Sequence, residues 1–298
     1  MTGAPQIFDT ALLTRRRDRV AATAAAHDFL LARVGEDFAE RLSIVKRTFE
    51  AGLNIDAHHG LLGRRLRALP NVGTIVDAGL SPGLLGQCGG PTLIADAEAL
   101  PLEAGSIDLA VSGLSLHLVN DLPGALIQLR RALKPDGLLL AALLGGETLH
   151  ELRQAWLIAE VEVTGGASPR VAPFADVRAM GALLQRAGFA LPVADTDVVN
   201  VTYESPLHLM REIKAMGASN MLTERRRVPV TRTLLMRAAE VYRERFGLAN
   251  GRIPATFEII TLTAWVPHES QQKPLKPGSA TTRLAIALGV KEGKLERE

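Results

Sequence analysis

The chain has 298 residues, 47% of them hydrophobic and 22% charged, which is enough for one large domain or two small ones with an ordinary core. Its 34 basic and 32 acidic residues leave a net charge of +2, so bulk charge favours neither nucleic acid nor a membrane surface. A single cysteine, Cys88, excludes an internal disulfide, and there is neither a His-x-x-x-His pair nor an apolar run of membrane-spanning length. We therefore expect no metal centre, no nucleic-acid partner and no membrane span.

The hydrophobic pattern predicts an α/β protein. Apolar residues recur at helical spacings over residues 10–50, and short strand-like segments then alternate with helical ones, which predicts a mostly parallel sheet with helices on both faces. The predicted strands lie at 53–55, 74–78, 92–95, 108–112, 138–143, 198–203 and 256–265. The predicted helices lie at 60–69, 82–87, 122–133 (with Asp121 as its N-cap), 147–164, 174–187, 207–216 and 230–246, and residues 134–137 form a turn.

These elements suggest three parts of the chain. Residues 1–50 form an N-terminal helical segment, and residues 51–266 form the main domain, with a helical insertion at about 205–250 that covers the site or meets a partner. Residues 267–298 form a tail, which we expect to fray because prolines and glycines recur in it.

The position of the first strand decides where a ligand would bind. In doubly wound sheets the ligand lies over the carboxyl ends of the central strands, beside a glycine-rich turn after strand one. The segment Asp77–Gly83 looks like such a turn, but only 12 residues separate Gly83 from Asp96, too few for a helix, a strand and a second helix. From Asn54 to Asp96 there are 42 positions, so we place strand one before Gly60.

Several segments resemble a known family. The stretch DAEALPLEAGSIDLAVSGLSLHLVNDLPGAL and the following LKPDG resemble class I S-adenosylmethionine (SAM)-dependent methyltransferases. The segments GGETLHELR, SPRVAPFADV and MGASN are similar to the branch of that superfamily formed by respiratory complex I assembly factors. The resemblance implies a Rossmann-like fold with a mostly parallel seven-stranded sheet. It also implies SAM as cofactor and, in this branch, hydroxylation of an arginine on a complex I subunit.

The resemblance assigns cofactor-binding positions, some of which depart from the family. The positions implied are Asn54, Asp56 and Gly60 after strand one, Asp77 and Gly79 at strand two, Asp96 and Ala97 after strand three, and Ser112 at the end of strand four. Asp56 stands where the family has a glycine, so its carboxylate should repel the methionine carboxylate of SAM. Gly79 stands where the family has its ribose-binding acid, and Asp77 serves instead only if the turn is rearranged.

Two residues are candidates for chemistry. His117 lies in a segment where the family commonly has Ser-Leu-His-Trp-Val-Asn-Asp, with Leu118 here in place of the tryptophan, and an imidazole can exchange a proton near neutral pH. A packed structural histidine is the other interpretation. Glu147 either pairs with a guanidinium substrate or stabilises the start of the next helix.

Three functions remain open. The first is an enzyme that modifies a protein arginine, with a complex I subunit or assembly intermediate as partner. The second is a methyltransferase acting on a small molecule or carrier protein. The third is a non-catalytic assembly scaffold with a degenerate cofactor site, motivated by Asn54, Asp56 and Gly79. We expect a cytoplasmic protein in a bacterium and a mitochondrial matrix protein in a eukaryote.

Overall fold

The computed structural model describes residues 6–174 and 176–272, together with positions 279, 282, 286 and 289. The chain divides into two compact units, Met1–Pro267 and His268–Glu298. The second unit is described at only a few positions, so most of the predicted frayed tail lies outside the described residues. All features below belong to the first unit.

A seven-stranded sheet forms the centre of the first unit. Its strands are β1 (Phe49–Ile55), β2 (Val72–Gly79), β3 (Thr92–Ile94), β4 (Ile107–Gly113), β5 (Leu133–Leu144), β6 (Ala190–Tyr203) and β7 (Ile253–Trp265). The strand order is β3-β2-β1-β4-β5-β7-β6, with β7 antiparallel to both neighbours and the first five strands parallel. The predicted mostly parallel seven-stranded sheet is confirmed.

Nine α-helices are present in the described part of the chain: α1 (Thr10–Val20), α2 (Phe29–Ile44), α3 (Leu61–Arg67), α4 (Pro82–Leu85), α5 (Leu122–Ala132), α6 (His150–Thr164), α7 (Val177–Arg186), α8 (Pro206–Ala215) and α9 (Arg232–Phe246). Short polar side chains begin several of them by accepting a backbone N–H in the first turn. Asp121 caps α5 as predicted, since its Oδ1 accepts the N–H of Gly124 at 2.9 Å. Two helices, α8 and α9, follow β6 and precede β7 in the chain.

Hydrophobic cores lie on both faces of the sheet. Successive residues of β4 alternate between them: Leu109 and Val111 pack into one core, and Ala110 packs into the other. This alternation follows from the two-residue period of a strand, and apolar residues on both faces are typical of buried parallel strands. Helices α2, α6 and α9 cover the first core, and α5 and α7 cover the second.

Strand one lies before Gly60, where the residue count placed it. Strand β1 ends at Ile55 and pairs with β2, so that Asn54 lies opposite Asp77. Strand β5 differs from the prediction, because it begins at Leu133 and includes the predicted turn. Asp136 there adopts a positive φ of 61°, and the register against β4 shifts, so the segment bends without ending the strand.

Candidate functional site

A cavity of about 440 Å³ lies beside the loops that follow β1, β4 and β5. Ligands of doubly wound sheets bind at this carboxyl edge, and sites for small molecules span about 300–1,000 Å³. Most of its wall is aliphatic, with methionines from α8 and the segment after it. The polar and charged side chains in the wall are Arg17, His27, Asp28, His58, His59, His117, Arg170, Ser219 and Asn220.

Two partly buried imidazoles line this cavity near the sheet. The Nε2 atom of His58 lies 3.0 Å from the carbonyl oxygen of Gly113, and Nδ1 of His117 accepts the N–H of Leu144 at 3.4 Å. Phe174 packs edge-on against His117, with ring centroids 5.5 Å apart. Burial, reinforced by the charge of Arg17, lowers the pKa of both histidines to about 3, so both are neutral near pH 7.

A third imidazole belongs to an acid–histidine pair. The Nε2 atom of His59 lies 3.0 Å from Oδ2 of Asp28, and both residues line the cavity. His59 is 3% exposed in this pair. Burial lowers the pKa of His59, and the neighbouring Asp28 carboxylate opposes that effect. The pair therefore joins the loop after β1 to the start of α2.

Asp56 forms an ion pair where the family has a glycine. It takes a φ of +50°, a left-handed conformation that Asp adopts more readily than most residues. Arg17 on α1 places its Nη1 3.4 Å from Oδ2 of Asp56, and both side chains are largely buried. The loop thus keeps a glycine-like backbone, but a carboxylate and its guanidinium partner fill the space beside it.

A second cavity, of about 20 Å³, collects several of the predicted cofactor positions. Asp56, Asp96 and Ala97 line it, facing Thr10 and Arg17 of α1. The Oδ1 atom of Asp96 accepts the N–H of Glu98 at 2.9 Å, so this acid also stabilises its own turn. A volume of that size holds about one water molecule.

Helix α1 is attached to the loop after β2 and to the segment after α8. Its Asp18 accepts hydrogen bonds from the Ser81 hydroxyl at 2.5 Å and from the Gly83 N–H at 2.9 Å. Its Arg16 donates to the carbonyl oxygens of Ser219 and Asn220, which line the large cavity. The helix therefore uses the backbone and hydroxyl groups after β2 that face this edge of the sheet.

Asn54 and Asp77 lie outside both cavities. Asp77 is fully buried, and its carboxylate accepts from Asn54 Nδ2 at 2.7 Å and from Arg67 Nη1 at 3.0 Å. A Cβ at Gly63 would lie 2.2 Å from the Asp77 carboxylate, so only glycine lets α3 approach that close. These contacts make Asp77 the buried partner of Arg67.

The other predicted cofactor positions are also placed by the structure. Gly60 has a φ of +77°, and a Cβ there would lie 2.8 Å from Cys88 Sγ, so the turn needs a glycine. At Gly79 a Cβ would lie 3.6 Å from Asp56 Oδ1, in ordinary contact, which puts the Asp56 carboxylate beside the site of the missing ribose acid. The Ser112 hydroxyl is buried against Ser115 at 2.9 Å, away from both cavities.

The two candidate catalytic residues lie in different surroundings. His117 lines the large cavity, whereas the Glu147 side chain is 71% exposed and is not part of its wall. Helix α6 begins at His150, so Glu147 belongs to the preceding turn, where its N–H donates to Glu258. Sequence reasoning missed Arg17, Asp28 and the two adjacent histidines, because no motif links α1 and α2 to the loop after β1.

The residues present do not fit SAM in its usual place. The ion pair of Arg17 and Asp56 fills the turn after β1, and α1 reduces the adjoining space to about 20 Å³. Asp77 is buried beneath α3, and Gly79 offers no side chain to a ribose. The fold is one that SAM-dependent enzymes use, but in this arrangement α1 takes the polar groups that a nucleoside would need.

Within the described residues, no three His, Cys, Asp or Glu side chains are grouped so that they could hold a metal ion. None of the helices described is long and apolar enough to cross a membrane.

The strand order and the cavity at the carboxyl edge define a class I methyltransferase fold. Residues 60–141 match a family described as a methyltransferase domain. Solved structures agree in fold: the YcgJ protein of Bacillus subtilis has a TM-score of 0.56 at 13% identity, covering 80% of this chain and 99% of that one. Phosphoethanolamine N-methyltransferase 2 of Haemonchus contortus gives 0.52 at 14% identity, covering 86% of this chain and 61% of that one.

Relatives of higher identity narrow the family. The mitochondrial arginine-hydroxylase NDUFAF5 of Danio rerio is 36% identical over 98% of this chain and 92% of its own length, and that of Homo sapiens is 39% identical over 85% and 74%. A malonyl-[acyl-carrier protein] O-methyltransferase of Methylovorus is 34% identical over 90% and 93%. The chain belongs to the methyltransferase-domain family that includes the NDUFAF5 arginine hydroxylases and these O-methyltransferases.

Proposed function

We propose that this chain modifies an arginine side chain of a protein, as an arginine hydroxylase, and that its partner is a subunit or assembly intermediate of respiratory complex I. The observation that carries the proposal is the cavity at the carboxyl edge, where the neutral imidazoles of His58 and His117 belong to a largely aliphatic wall. Relatives that cover nearly the whole chain are named arginine hydroxylases, which supports the same reaction.

The reaction sets requirements on the site. Hydroxylation replaces one C–H bond by C–OH, so with dioxygen as oxidant it consumes two electrons and two protons and releases water. The electrons come from an external reductant. The residues of this chain supply a place that excludes bulk water and holds the arginine, and the neutral imidazoles can accept or donate hydrogen bonds there without adding charge. His117 remains our candidate catalytic residue, but as a neutral hydrogen-bonding group, because with a pKa of about 3 it does not exchange a proton near neutral pH as the sequence suggested.

Methyl transfer is supported less well. It would need SAM over the ends of β1 and β2, where the Arg17–Asp56 pair and α1 now lie. Asn54, Asp56, Gly60, Asp77, Gly79, Asp96, Ala97 and Ser112 stay predictions as cofactor-binding residues. Of these eight, only Asp56, Asp96 and Ala97 line either cavity. Glu147 likewise stays a prediction as a guanidinium partner.

Deletion and complementation test the proposal. A strain that lacks the gene is complemented with the native chain, with His117→Asn, or with His208→Asn, a control whose side chain is half exposed on α8. Mass spectrometry of purified complex I subunits should show an arginine heavier by one oxygen atom with the native chain and the control. We expect that mass to disappear in the deletion strain and to fall strongly with His117→Asn. An unchanged set of subunit masses in the deletion strain contradicts the proposal.

The second candidate function is that of an assembly scaffold. It is favoured because the Arg17–Asp56 pair and α1 fill the space in which SAM would bind. In that case the same experiment gives a different pattern. Complex I would assemble poorly in the deletion strain, the native chain and His117→Asn would both restore it, and no subunit would change in mass. Assembly that follows the arginine modification across the variants argues against the scaffold.

A further inference from the structure

The two arginines in the wall of the large cavity each pair with a carboxylate. Arg17 pairs with Asp56, and Arg170 pairs with Glu160 while stacking 4.8 Å above the Trp156 ring. Both cations are therefore already neutralised. Among the described residues that line the cavity, only Asp28 carries a carboxylate.

The Asp28 carboxylate can accept a further hydrogen bond. Its Oδ2 faces His59 Nε2 at 3.0 Å, and within the described part of the chain no hydrogen bond reaches its Oδ1. The residue is in the N-cap position of α2, but its side chain makes no cap bond there. The Asp28 side chain is 21% exposed and lines the cavity, so this oxygen is open to a donor that enters with a ligand.

The surroundings favour a cation as that donor. His58 and His117 also line the cavity, and their pKa values of about 3 mean that they add no positive charge near neutral pH. The wall near α2 and α8 is aliphatic, with Leu30, Met210 and Ile213. Such a wall suits methylene groups and apolar neighbours of the charged group.

We propose that Asp28 binds the guanidinium of the substrate arginine, with His59 holding one carboxylate oxygen in place, and that the aliphatic wall selects an arginine flanked by apolar residues. This inference rests on the proposed function and adds the residue that recognises the substrate. A guanidinium offers two parallel N–H groups, which suits a carboxylate with a free oxygen better than the single point charge of a lysine.

Peptide binding tests the proposed arginine-binding site at Asp28 without requiring turnover. The probes are the capped tripeptides Leu-Arg-Leu, Leu-citrulline-Leu and Ser-Arg-Ser, titrated by calorimetry into the native chain, Asp28→Asn and the control Asp37→Asn. Asp37 is also on α2 but pairs with Arg41 and is not in the cavity wall. Thermal unfolding of each variant confirms that it is folded.

We expect Asp28→Asn to weaken binding of Leu-Arg-Leu about tenfold to hundredfold, since a hydrogen bond to a charged group contributes about 1.5–3 kcal/mol. The neutral citrulline peptide should bind Asp28→Asn and the native chain alike, and Ser-Arg-Ser should bind the native chain at least about tenfold more weakly than Leu-Arg-Leu. Asp37→Asn should match the native chain with every probe.

Two results overturn the inference in distinguishable ways. If the native chain and Asp28→Asn bind Leu-Arg-Leu equally well, Asp28 does not bind the guanidinium. The mass measurement on complex I subunits still decides the proposed function. If the native chain binds no arginyl peptide while the deletion strain also shows no change in subunit mass, both proposals fail.

Discussion

Asp77 shows how the surroundings of one carboxylate decide what it can do. Its place on β2 suggested a ribose-binding acid, yet the side chain is buried under α3 with Arg67 and Asn54 as partners. Both partners lie on elements that only the folded chain brings together. A carboxylate without exposure is stable only when its charge is paired and hydrogen-bonded, and here Arg67 supplies the charge.

Replacement of Arg67 should therefore be costly. We expect Arg67→Ala to lower the free energy of unfolding by about 3 kcal/mol or more, because it leaves the Asp77 charge buried without its partner. Urea denaturation measures this. In the matched control Arg33→Ala, which removes an exposed pair with Asp197, the change should stay within about 1 kcal/mol. Equal effects of the two substitutions contradict a structural role for the buried pair.

His117 gives a prediction for pH. Its pKa is about 3 in the folded chain, because of burial and the nearby Arg17, against about 6.5 for an unfolded histidine. As the pH falls from about 6.5 towards 3, the unfolded chain binds a proton that the folded chain refuses, so stability falls. His117→Gln should remove up to about 1.4 kcal/mol per pH unit of that slope.

Denaturation at a series of pH values checks this expectation. The control is Phe174→Leu, which removes the edge-on ring contact but leaves the titrating group in place. It should lower stability while keeping the dependence on pH. An identical slope in the native chain and His117→Gln means that His117 is already accessible to protons when folded.

Asp56 shows where sequence reasoning stops. The sequence identifies it as a residue that replaces a family glycine, and in the structure Asp56 takes a positive φ. The partner that neutralises its charge, Arg17, lies on a separate helix with no motif in common. Local conformation can be predicted from spacing, whereas a contact between distant elements depends on packing that the spacing does not encode.

At the scale of elements, α1 is the part that most alters the site. The segment 10–50 is predicted to be helical, but nothing in its pattern shows that it lies across the ends of β1 and β2. Its position depends on Asp18, which bonds Ser81 and Gly83, and on Arg16, which bonds the segment after α8. The bounds of a helix follow from its hydrophobic period. The place where α1 packs on the sheet depends on single polar side chains.

The attachment of α1 can be tested by hydrogen exchange. We expect Asp18→Ala to speed amide exchange over residues 10–20 about tenfold or more, because the change removes two hydrogen bonds to the loop after β2. Helix α9 should exchange at its native rate and serves as the internal control. Unchanged protection of α1 shows that Arg16 and the apolar face of the helix hold it without Asp18.

For the whole molecule, counting residues between motifs placed the first three strands at the right positions along the chain. The arithmetic worked because helices and strands have minimum lengths, so a chain of given length has room for only certain arrangements. It could not place the cofactor, since binding depends on free volume. Volume is set by every side chain that packs at that edge, above all those of α1.

Cofactor binding is the matching test for the molecule as a whole. We expect calorimetry to show no micromolar binding of SAM to the native chain, since the space after β1 and β2 is closed. The triple variant Arg17→Ala, Asp56→Gly and Gly79→Asp opens that space and restores a ribose acid, so it should gain measurable affinity. Micromolar binding by the native chain means that α1 moves aside readily, and methyl transfer then regains support.

The contact between Gly63 and Asp77 has a consequence for how these positions change in evolution. A side chain at position 63 would collide with the carboxylate, and without the carboxylate Arg67 would lose its buried partner. Substitutions at these three positions should therefore be accepted together or not at all as lineages diverge. Descendants in which the acid on β2 has turned from α3 towards a ligand should then carry a larger residue at position 63 and a neutral one at position 67.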